Sequence, residues 1–352
     1  MRHGRTLSCW AIATIAFCAL APEAPAAPKS KGKHDARLTI ERARALMGTP
    51  CVITAEGLDS TWVSHAVDDA FGEIDRLDGV LSSWRTDSEL SRVNAAGSEQ
   101  RIPCSPDLFA VLDSALAIAR ATDGAFDPTV EPLMRAWDMR GAGHVPEPGE
   151  LGEALQRVGW KMVDLVPSTH TVRFSRDGMG LDFGGIGKGY ALDRALDLLR
   201  GRRVVRVLLN FGGELLGITD GEAWVLAVAD PTDRLRPVLR LVLKRGAVST
   251  SGQGERFVTA DHQQYGHIVD PHLGKPLDTH ATVTVVASSA ARADGLSTAL
   301  LVMGRDRARA FVEAHPDIGA VWLEREDQKI LAWRWNLPTV SVEPGVDVEW
   351  MP

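Results

Sequence analysis

The chain has 352 residues, enough for one large domain or two of ordinary size, and its 39 Lys and Arg against 46 Asp and Glu give a formal net charge of −7. Hydrophobic residues make up 45% and charged residues 24%, which excludes a disordered chain, a collagen and a coiled coil. The acidic balance argues against binding to nucleic acid or to an anionic membrane, because either partner requires a basic excess or a basic stripe.

Residues 1–27 are predicted to form a secretory signal peptide. Arg2 and Arg5 give a basic start, residues 7–20 are apolar and uncharged, and residues 24–26 are the small residues that signal peptidase requires. The apolar run is too short for a stable membrane span, although an uncleaved N-terminal anchor is the alternative. We expect an exported protein without a lipid anchor, because no Cys follows a small residue at the end of this run. Residues 28–36 are predicted to be a basic linker.

The rest of the chain is predicted to contain helices early and strands late. A helix capped by Asp59 and Ser60 carries apolar residues at three- and four-residue spacing through Leu81, and Ser105-Pro106 begins a second helix. Further helices are predicted over residues 150–158, from near Gly187, from near Arg292 and over residues 305–315. Strands are predicted over residues 51–55, 204–209, 224–229, 238–243, 282–287, 320–324 and 330–335. Without a regular β-α-β alternation, this order favours an α+β fold over a doubly wound parallel sheet.

Two Cys residues follow the predicted signal peptide, Cys51 and Cys104. An oxidising compartment permits a disulfide between them, but two Cys residues do not define a disulfide framework. Two buried free thiols are therefore the equally supported alternative.

The densest glycine cluster, residues 182–190, opens a predicted helix. Glycines at a helix start let backbone N–H groups approach an anion, and the helix N-terminus adds positive potential. The order of the glycines does not match the dinucleotide-binding fingerprint, and Lys188 is followed by Gly189 rather than by the Ser or Thr of a P-loop. The cluster predicts either a phosphate cradle or a tight turn that begins a helix.

Asp294 and Thr298 are four residues apart, so that on a helix they share one face. A carboxylate and a hydroxyl are hard oxygen ligands of the kind that Mg²⁺ takes, together with water and substrate phosphate. The alternative is a helix N-terminus in which Asp294 only interacts with the helix dipole. The spacing alone favours that alternative.

Two further segments have residues suited to ligand binding. His267 precedes a short extended run that ends in the turn Asp270-Pro271, and a His at such a position is a proton carrier, a phosphate contact or a structural residue. Residues 122–130 follow a predicted helix and include Phe126, which is predicted to be an exposed aromatic ring suited to stacking on a flat ligand.

Taken together and in this order, these motifs resemble the ApbE family, the FAD:protein FMN transferases. The resemblance covers Met47 to about Gly304 and rests on eight segments. They are Met47-Gly48-Thr49, Ser82-Ser83-Trp84 with residues 88–94, residues 124–128, 182–190, 210–214, 249–252, 267–271 and 293–299. Each segment is weak alone, but eight in the same order make a specific match.

The resemblance implies an α+β, two-lobed domain over residues 37–340, with FAD in the cleft between the lobes and a C-terminal tail over residues 341–352. It also implies a bacterial, periplasmic and Mg²⁺-dependent enzyme. Such an enzyme splits its substrate FAD at the pyrophosphate, releases AMP and attaches FMN through a phosphoester bond to a threonine hydroxyl of an acceptor protein that carries a flavinylation motif.

The resemblance also implies a set of site residues. FAD would be bound by Met47, Trp84, Ala125, Phe126, Asp127, Asp182, Lys188, His267 and Ile268, and Mg²⁺ by Gly185, Asp294 and Thr298. His267 and Asp294 would be the catalytic residues, with His267 beside the reacting phosphates. Trp84 stands where many relatives have Tyr, so that the ring is kept and the hydroxyl is lost. The usual lipobox Cys is missing, which argues against membrane anchoring.

Two other functions are compatible with the same motifs. An FAD pyrophosphatase would use the same metal and cleft, with water in place of the threonine hydroxyl. A non-catalytic periplasmic flavin-binding carrier would bind FAD without releasing AMP. A carrier needs neither a metal nor a His, so the presence of Asp294, Thr298 and His267 in one chain argues against it.

Overall fold

The computed structural model describes residues 37–200, 204–254, 257–260, 262–337 and 340–352. The predicted signal peptide and basic linker lie outside the described residues. Among the helices of the described segments, none combines the length and apolar character needed to cross a bilayer.

The predicted helices are present. The Asp59 side chain accepts the N–H groups of Thr61 and Trp62 at the start of the first helix, and the Ser105 side chain accepts the N–H of Leu108 at the start of the third. Within the described residues the helices are α1 (Ser60–Leu81), α2 (Glu89–Ala96), α3 (Pro106–Ala121), α4 (Glu131–Ala136), α5 (Pro148–Leu155), α6 (Gly187–Leu199), α7 (Ala290–Met303) and α8 (Arg305–Ala314). The sequence did not predict α2 and α4, and α5 ends three residues before the predicted position.

The described residues form a nine-stranded sheet in the order β1-β2-β6-β7-β10-β13-β14-β15-β17. Its strands are β1 (Leu38–Leu46), β2 (Thr49–Gly57), β6 (Val204–Phe211), β7 (Glu214–Thr219), β10 (Arg245–Gly252), β13 (Thr282–Ala287), β14 (Gly319–Glu326), β15 (Lys329–Trp335) and β17 (Val348–Trp350). Neighbouring strands are antiparallel except β15 and β17, which are parallel. An antiparallel sheet with separate helices confirms the α+β class.

Smaller sheets accompany the large one. They have the orders β16-β9-β8, β3-β5-β4 and β11-β12, with β3 (Ile102–Pro103), β4 (Val163–Val166), β5 (Thr171–Phe174), β8 (Trp224–Ala229), β9 (Pro237–Leu243), β11 (Phe257–Ala260), β12 (Gln263–Gly266) and β16 (Val340–Val342). The sheets continue past residue 340, where the sequence places the end of the domain. In that segment β16 pairs with β9 and β17 pairs with β15.

The nine-stranded sheet lies between two hydrophobic cores. Leu209 packs with α1, α6 and α7 in the larger core, whereas its neighbour Leu208 packs against β8 and β9 in the smaller one. Successive strand residues point to opposite faces of a sheet, so the run of apolar residues in β6 serves both cores. The order of layers is therefore helices, large sheet and small sheet.

Cys51 and Cys104 are buried free thiols, so the second of the two alternatives, rather than a disulfide between them, is present. Burial raises the pKa of Cys51 to about 12 and that of Cys104 to about 11. Neither thiol is poised to react, because the thiolate is the reactive form.

Candidate active site

Helices α6 and α7 approach each other closely at Gly189. A Cβ atom added there would lie 2.3 Å from the carbonyl oxygen of Ala290, so the position accepts only glycine. The Gly189 N–H donates to the carboxylate of Asp294 at 3.0 Å. This approach, called the α6–α7 contact below, brings the glycine cluster and the predicted metal ligand Asp294 together.

Gly185 and Thr298 are also neighbours. A Cβ atom on Gly185 would lie 3.0 Å from Thr298 Oγ1 and 3.3 Å from a ring carbon of Phe126, so this position too requires a small residue. Ser251 on β10 is a further neighbour, with its hydroxyl 3.4 Å from Thr298 Oγ1 and 2.8 Å from Ser297 Oγ. The sequence assigns no role to the motif around Ser251, and in the structure the Ser251 hydroxyl contacts Ser297 of α7.

The donors at this point suit a hard cation. Asp294 is only 3% exposed, and it lies on the same face of α7 as Thr298, which is beside Gly185. One carboxylate, one hydroxyl and one backbone carbonyl are oxygen ligands of the kind that Mg²⁺ takes. No group of three or more His, Cys, Asp and Glu able to hold a metal occurs in the described segments, so a cation here would need water or substrate oxygens to complete its shell.

The glycine cluster does not form the row of unused N–H groups that a phosphate cradle requires. The N–H of Gly184 donates to Asp182 at 2.7 Å, and those of Ile186 and Gly187 donate to the Phe183 carbonyl at 3.1 and 2.7 Å. The Gly189 N–H is the donor to Asp294 described above. The expected cradle is therefore wrong for these donors, and the glycines at 185 and 189 act instead by allowing close approach.

Lys188 is held by a buried acid. Its Nζ lies 2.5 Å from Oε1 of Glu214, which is 4% exposed at the start of β7. The turn before Glu214 has positive φ at Gly212 and Gly213. The turn at Met47 and Gly48, between β1 and β2, is close to it, since a Cβ atom on Gly212 would lie 2.8 Å from Thr49 Oγ1. The sequence predicted Lys188 as a ligand-binding residue but missed its partner.

Asp182 is held by three donors from separate parts of the chain. Ser83 Oγ donates at 2.8 Å, the Gly184 N–H at 2.7 Å and Arg140 Nη2 at 2.5 Å, and Arg140 also binds Glu131. Burial opposes the charge of Arg140, but its bonds to Glu131 and the nearby Asp182 outweigh that effect and raise its pKa above the ordinary value. Sequence reasoning missed Arg140, which has no motif around it.

The predicted aromatic residues differ in exposure. Trp84 is 59% exposed, and the guanidinium carbon of Arg140 lies 6.0 Å from its ring centroid. Phe126, Ala125 and Ile268 are buried, and Phe126 belongs to the larger core. The prediction that Phe126 is exposed is therefore wrong, and Trp84 is the one of these two aromatic residues whose ring surface is exposed.

Asp127 makes a separate set of contacts. Its carboxylate accepts the N–H and hydroxyl of Thr129 and the N–H of Trp160, and it lines a cavity of about 180 Å³ together with Gly124 and His272. Burial raises the pKa of Asp127 above its ordinary value, against the hydrogen bonds, which lower it. These contacts fix the backbone at Trp160 to the turn after α3.

His267 follows β12 directly and is half-buried. The next residue, Ile268, is held by Gln253, which accepts its N–H at 3.2 Å and donates to its carbonyl at 3.0 Å. Gln253 comes directly after β10, so the His267 segment is tied to the strand whose Ser251 faces α7.

The fold is α+β, and the oxygen donors at the α6–α7 contact suit a hard cation. The chain belongs to the ApbE family, because residues 47–322 match the model of that family. It is similar to the FAD:protein FMN transferase of Treponema pallidum, with 31% identity over 304 residues, covering 80% of this chain and 83% of the relative.

Solved structures show the same likeness. The ApbE protein of Thermotoga maritima superimposes with a TM-score of 0.74 at 29% identity, covering 81% of this chain and 94% of the other. The flavinyl transferase ApbE of Pseudomonas stutzeri, solved in its apo form, gives a TM-score of 0.71 at 28% identity, covering 84% and 94%.

Proposed function

We propose that this protein is an FAD:protein FMN transferase. It would transfer FMN from FAD to a threonine hydroxyl of an acceptor protein, with a new phosphoester bond, cleavage of the pyrophosphate bond and release of AMP. The observation that carries the proposal is the α6–α7 contact, where the buried carboxylate of Asp294 meets the glycine cluster. The name of the Treponema pallidum relative supports the same activity.

Some of the site residues would bind FAD, and others would neutralise the charge of its pyrophosphate. Bound to Gly185 carbonyl, Asp294 and Thr298, Mg²⁺ would supply the charge neutralisation that a pyrophosphate needs. Lys188, fixed by Glu214, adds positive charge at the start of α6. Trp84 offers its ring to the flat part of FAD, and Met47, Ala125, Phe126, Asp127, Asp182 and Ile268 shape the rest of the FAD site.

His267 would accept the proton of the acceptor threonine hydroxyl. As a neutral base it takes that proton while the hydroxyl oxygen attacks phosphorus and AMP leaves with the bond pair. Transfer would then rise with pH through the pKa of His267. A His267 that only donates to phosphate would reverse this slope, because the charged form is the better donor.

We also propose export to the periplasm, with residues 1–27 as the signal peptide. The support is the order of basic, apolar and small residues in that segment. Acceptor proteins would then be exported proteins with a threonine flavinylation motif.

The test is to incubate the protein with FAD, Mg²⁺ and an exported acceptor protein. We expect equal amounts of AMP and of flavin that stays on the acceptor in a denaturing gel, and neither product when the metal is chelated. Free FMN and AMP without labelled acceptor would instead indicate a pyrophosphatase. Tight FAD binding without AMP would indicate a carrier.

The matching variant is Asp294→Ala, which removes the only carboxylate of the proposed metal site. We expect transfer to fall about a hundredfold or more, since charge stabilisation in a desolvated site is a large contribution. Asp306→Ala is the control, because Asp306 is an exposed acid in the first turn of the next helix, α8. Near-parental turnover of Asp294→Ala at saturating Mg²⁺ would contradict the metal assignment.

A further inference from the structure

The first turn of α7 is held by a residue of another helix. Asp193 of α6 accepts the N–H of Ala290 at 2.8 Å with one carboxylate oxygen and the N–H of Ala291 at 2.9 Å with the other. Backbone N–H groups in the first turn of a helix have no partner inside it, so Asp193 satisfies two donors that would otherwise lack one. The side chain of Ser289, the cap residue of α7 itself, accepts the N–H of Arg292 at the longer distance of 3.4 Å.

Asp193 and Gly189 act on α7 from the same side. They are four residues apart on α6 and therefore share one face of that helix. Gly189 donates to the Asp294 carboxylate and lets the backbone of Ala290 approach, while Asp193 binds the N–H groups of the turn that precedes Asp294. Two points on α6 thus fix the position of α7 and of the carboxylate that it carries.

The charge of Asp193 suits this arrangement. A carboxylate at a helix N-terminus interacts favourably with the helix dipole. Burial raises the pKa of Asp193 above its ordinary value, but the two backbone N–H groups oppose this effect and favour the ionised form.

From this geometry we propose that Asp193 is a positioning residue for the divalent-cation site. It does not touch the cation or the substrate. By binding Ala290 and Ala291 it fixes Asp294 and Thr298 relative to Gly185, and so sets the affinity of the site for Mg²⁺. The inference rests on the proposed function only in that it takes these three residues as the metal ligands.

The experiment measures metal binding apart from catalysis. Mn²⁺ is titrated into the whole protein with ADP present, and free Mn²⁺ is followed by its electron paramagnetic resonance signal, with competition by Mg²⁺. We expect Asp193→Ala to weaken binding about tenfold or more, as found for residues that orient metal ligands. At saturating Mg²⁺ the rate of FMN transfer by Asp193→Ala should return to within about threefold of the parental rate, because no reacting group is lost.

A matched control separates positioning from capping. Asp59 also accepts two backbone N–H groups at the start of a helix, α1, which carries none of the proposed metal ligands. Asp59→Ala should lower thermal stability to a similar extent and leave the Mn²⁺ affinity at the parental value. If Asp193→Ala fails to fold, Asp193→Asn replaces it, because asparagine keeps the side-chain shape and one acceptor oxygen. We expect Asp193→Asn to lower the affinity for Mn²⁺ severalfold.

The outcomes distinguish this inference from the proposed function. Unchanged Mn²⁺ affinity in both Asp193 variants would overturn the positioning role. The role would also be overturned if the parent protein bound no Mn²⁺, or bound it at a site that Asp294→Ala does not remove. Mn²⁺ binding that depends on Asp193 and Asp294, together with no FMN transfer by the parent, would overturn the proposed function and keep the positioning role.

Discussion

The two ends of the candidate site are built in different ways. At the metal end, Asp294 is 3% exposed and α6 meets α7 through a glycine that touches backbone. At the ring end, Trp84 is 59% exposed and lies beside the guanidinium of Arg140. The metal end is therefore part of the packing of the fold, whereas the ring at the other end is exposed to solvent. Substitutions should change stability at the first end and ligand binding at the second.

The largest effect is expected for Phe126→Ala. Phe126 is 5% exposed, belongs to the larger core and lies beside Gly185, so its removal leaves a cavity next to the metal end. We expect the free energy of unfolding in urea to fall by about 3–5 kcal/mol. Phe257→Ala is the control, because Phe257 is 55% exposed, and it should change the free energy of unfolding little. A loss below about 1 kcal/mol for Phe126→Ala would place this ring outside the core.

The next effect is expected for Gly189→Ala. The new Cβ atom would meet the Ala290 carbonyl oxygen at 2.3 Å, and because this atom belongs to the backbone, the two helices must separate. We expect a loss of about 2–3 kcal/mol in the same urea experiment. Gly72→Ala is the matched control, since Gly72 is an exposed glycine inside α1 with nothing within 4 Å, and it should gain up to about 1 kcal/mol. Equal stability of the two variants would contradict the tight contact.

A smaller effect, on ligand binding alone, is expected for Trp84→Ala. The loss of one exposed ring should raise the dissociation constant of FAD about tenfold, or about 1.4 kcal/mol, and leave the melting temperature unchanged. Trp62→Ala is the control, because Trp62 is 51% exposed in the first turn of α1, whereas Trp84 follows the end of that helix. Flavin fluorescence quenching measures both variants, and equal affinities would remove Trp84 from the ring end.

The smallest effect concerns the pH dependence of Asp127→Asn. Burial raises the pKa of Asp127 above that of the unfolded chain, so its contribution to stability is complete below the unfolded value of about 3.9 and is lost as pH rises through the folded pKa. Asparagine does not titrate. The parent should therefore exceed the variant in unfolding free energy by more at about pH 4 than at about pH 7. The opposite trend would show a lowered pKa.

The sequence predicted those elements whose patterns are local. The caps at Asp59 and Ser105 fixed two helix starts, and apolar alternation gave the bounds of β8 and β13. β1 was missed because it is an edge strand with exposed charges, and β10 because its serines face the Ser297 hydroxyl rather than a hydrophobic core. Neither strand shows the apolar alternation on which the prediction depends.

The same limit applies to the site. The glycine cluster and Asp294 were recognised as motifs, but the sequence does not show that the Gly189 N–H is used by Asp294. Arg140 lies 42 residues from Asp182 and meets it only through the fold. Contacts of this kind depend on tertiary packing, which local spacing does not encode.

The position of β17 has a practical consequence for anyone who shortens or extends the chain. This strand covers the outer edge of β15, and the backbone oxygen of Pro352 accepts a hydrogen bond from Arg309. A chain that ends before Val348 would leave backbone N–H and C=O groups of β15 unpaired along an open edge, which is a template for pairing with another molecule. Affinity tags on this enzyme therefore belong after a spacer that leaves residues 348–352 in place.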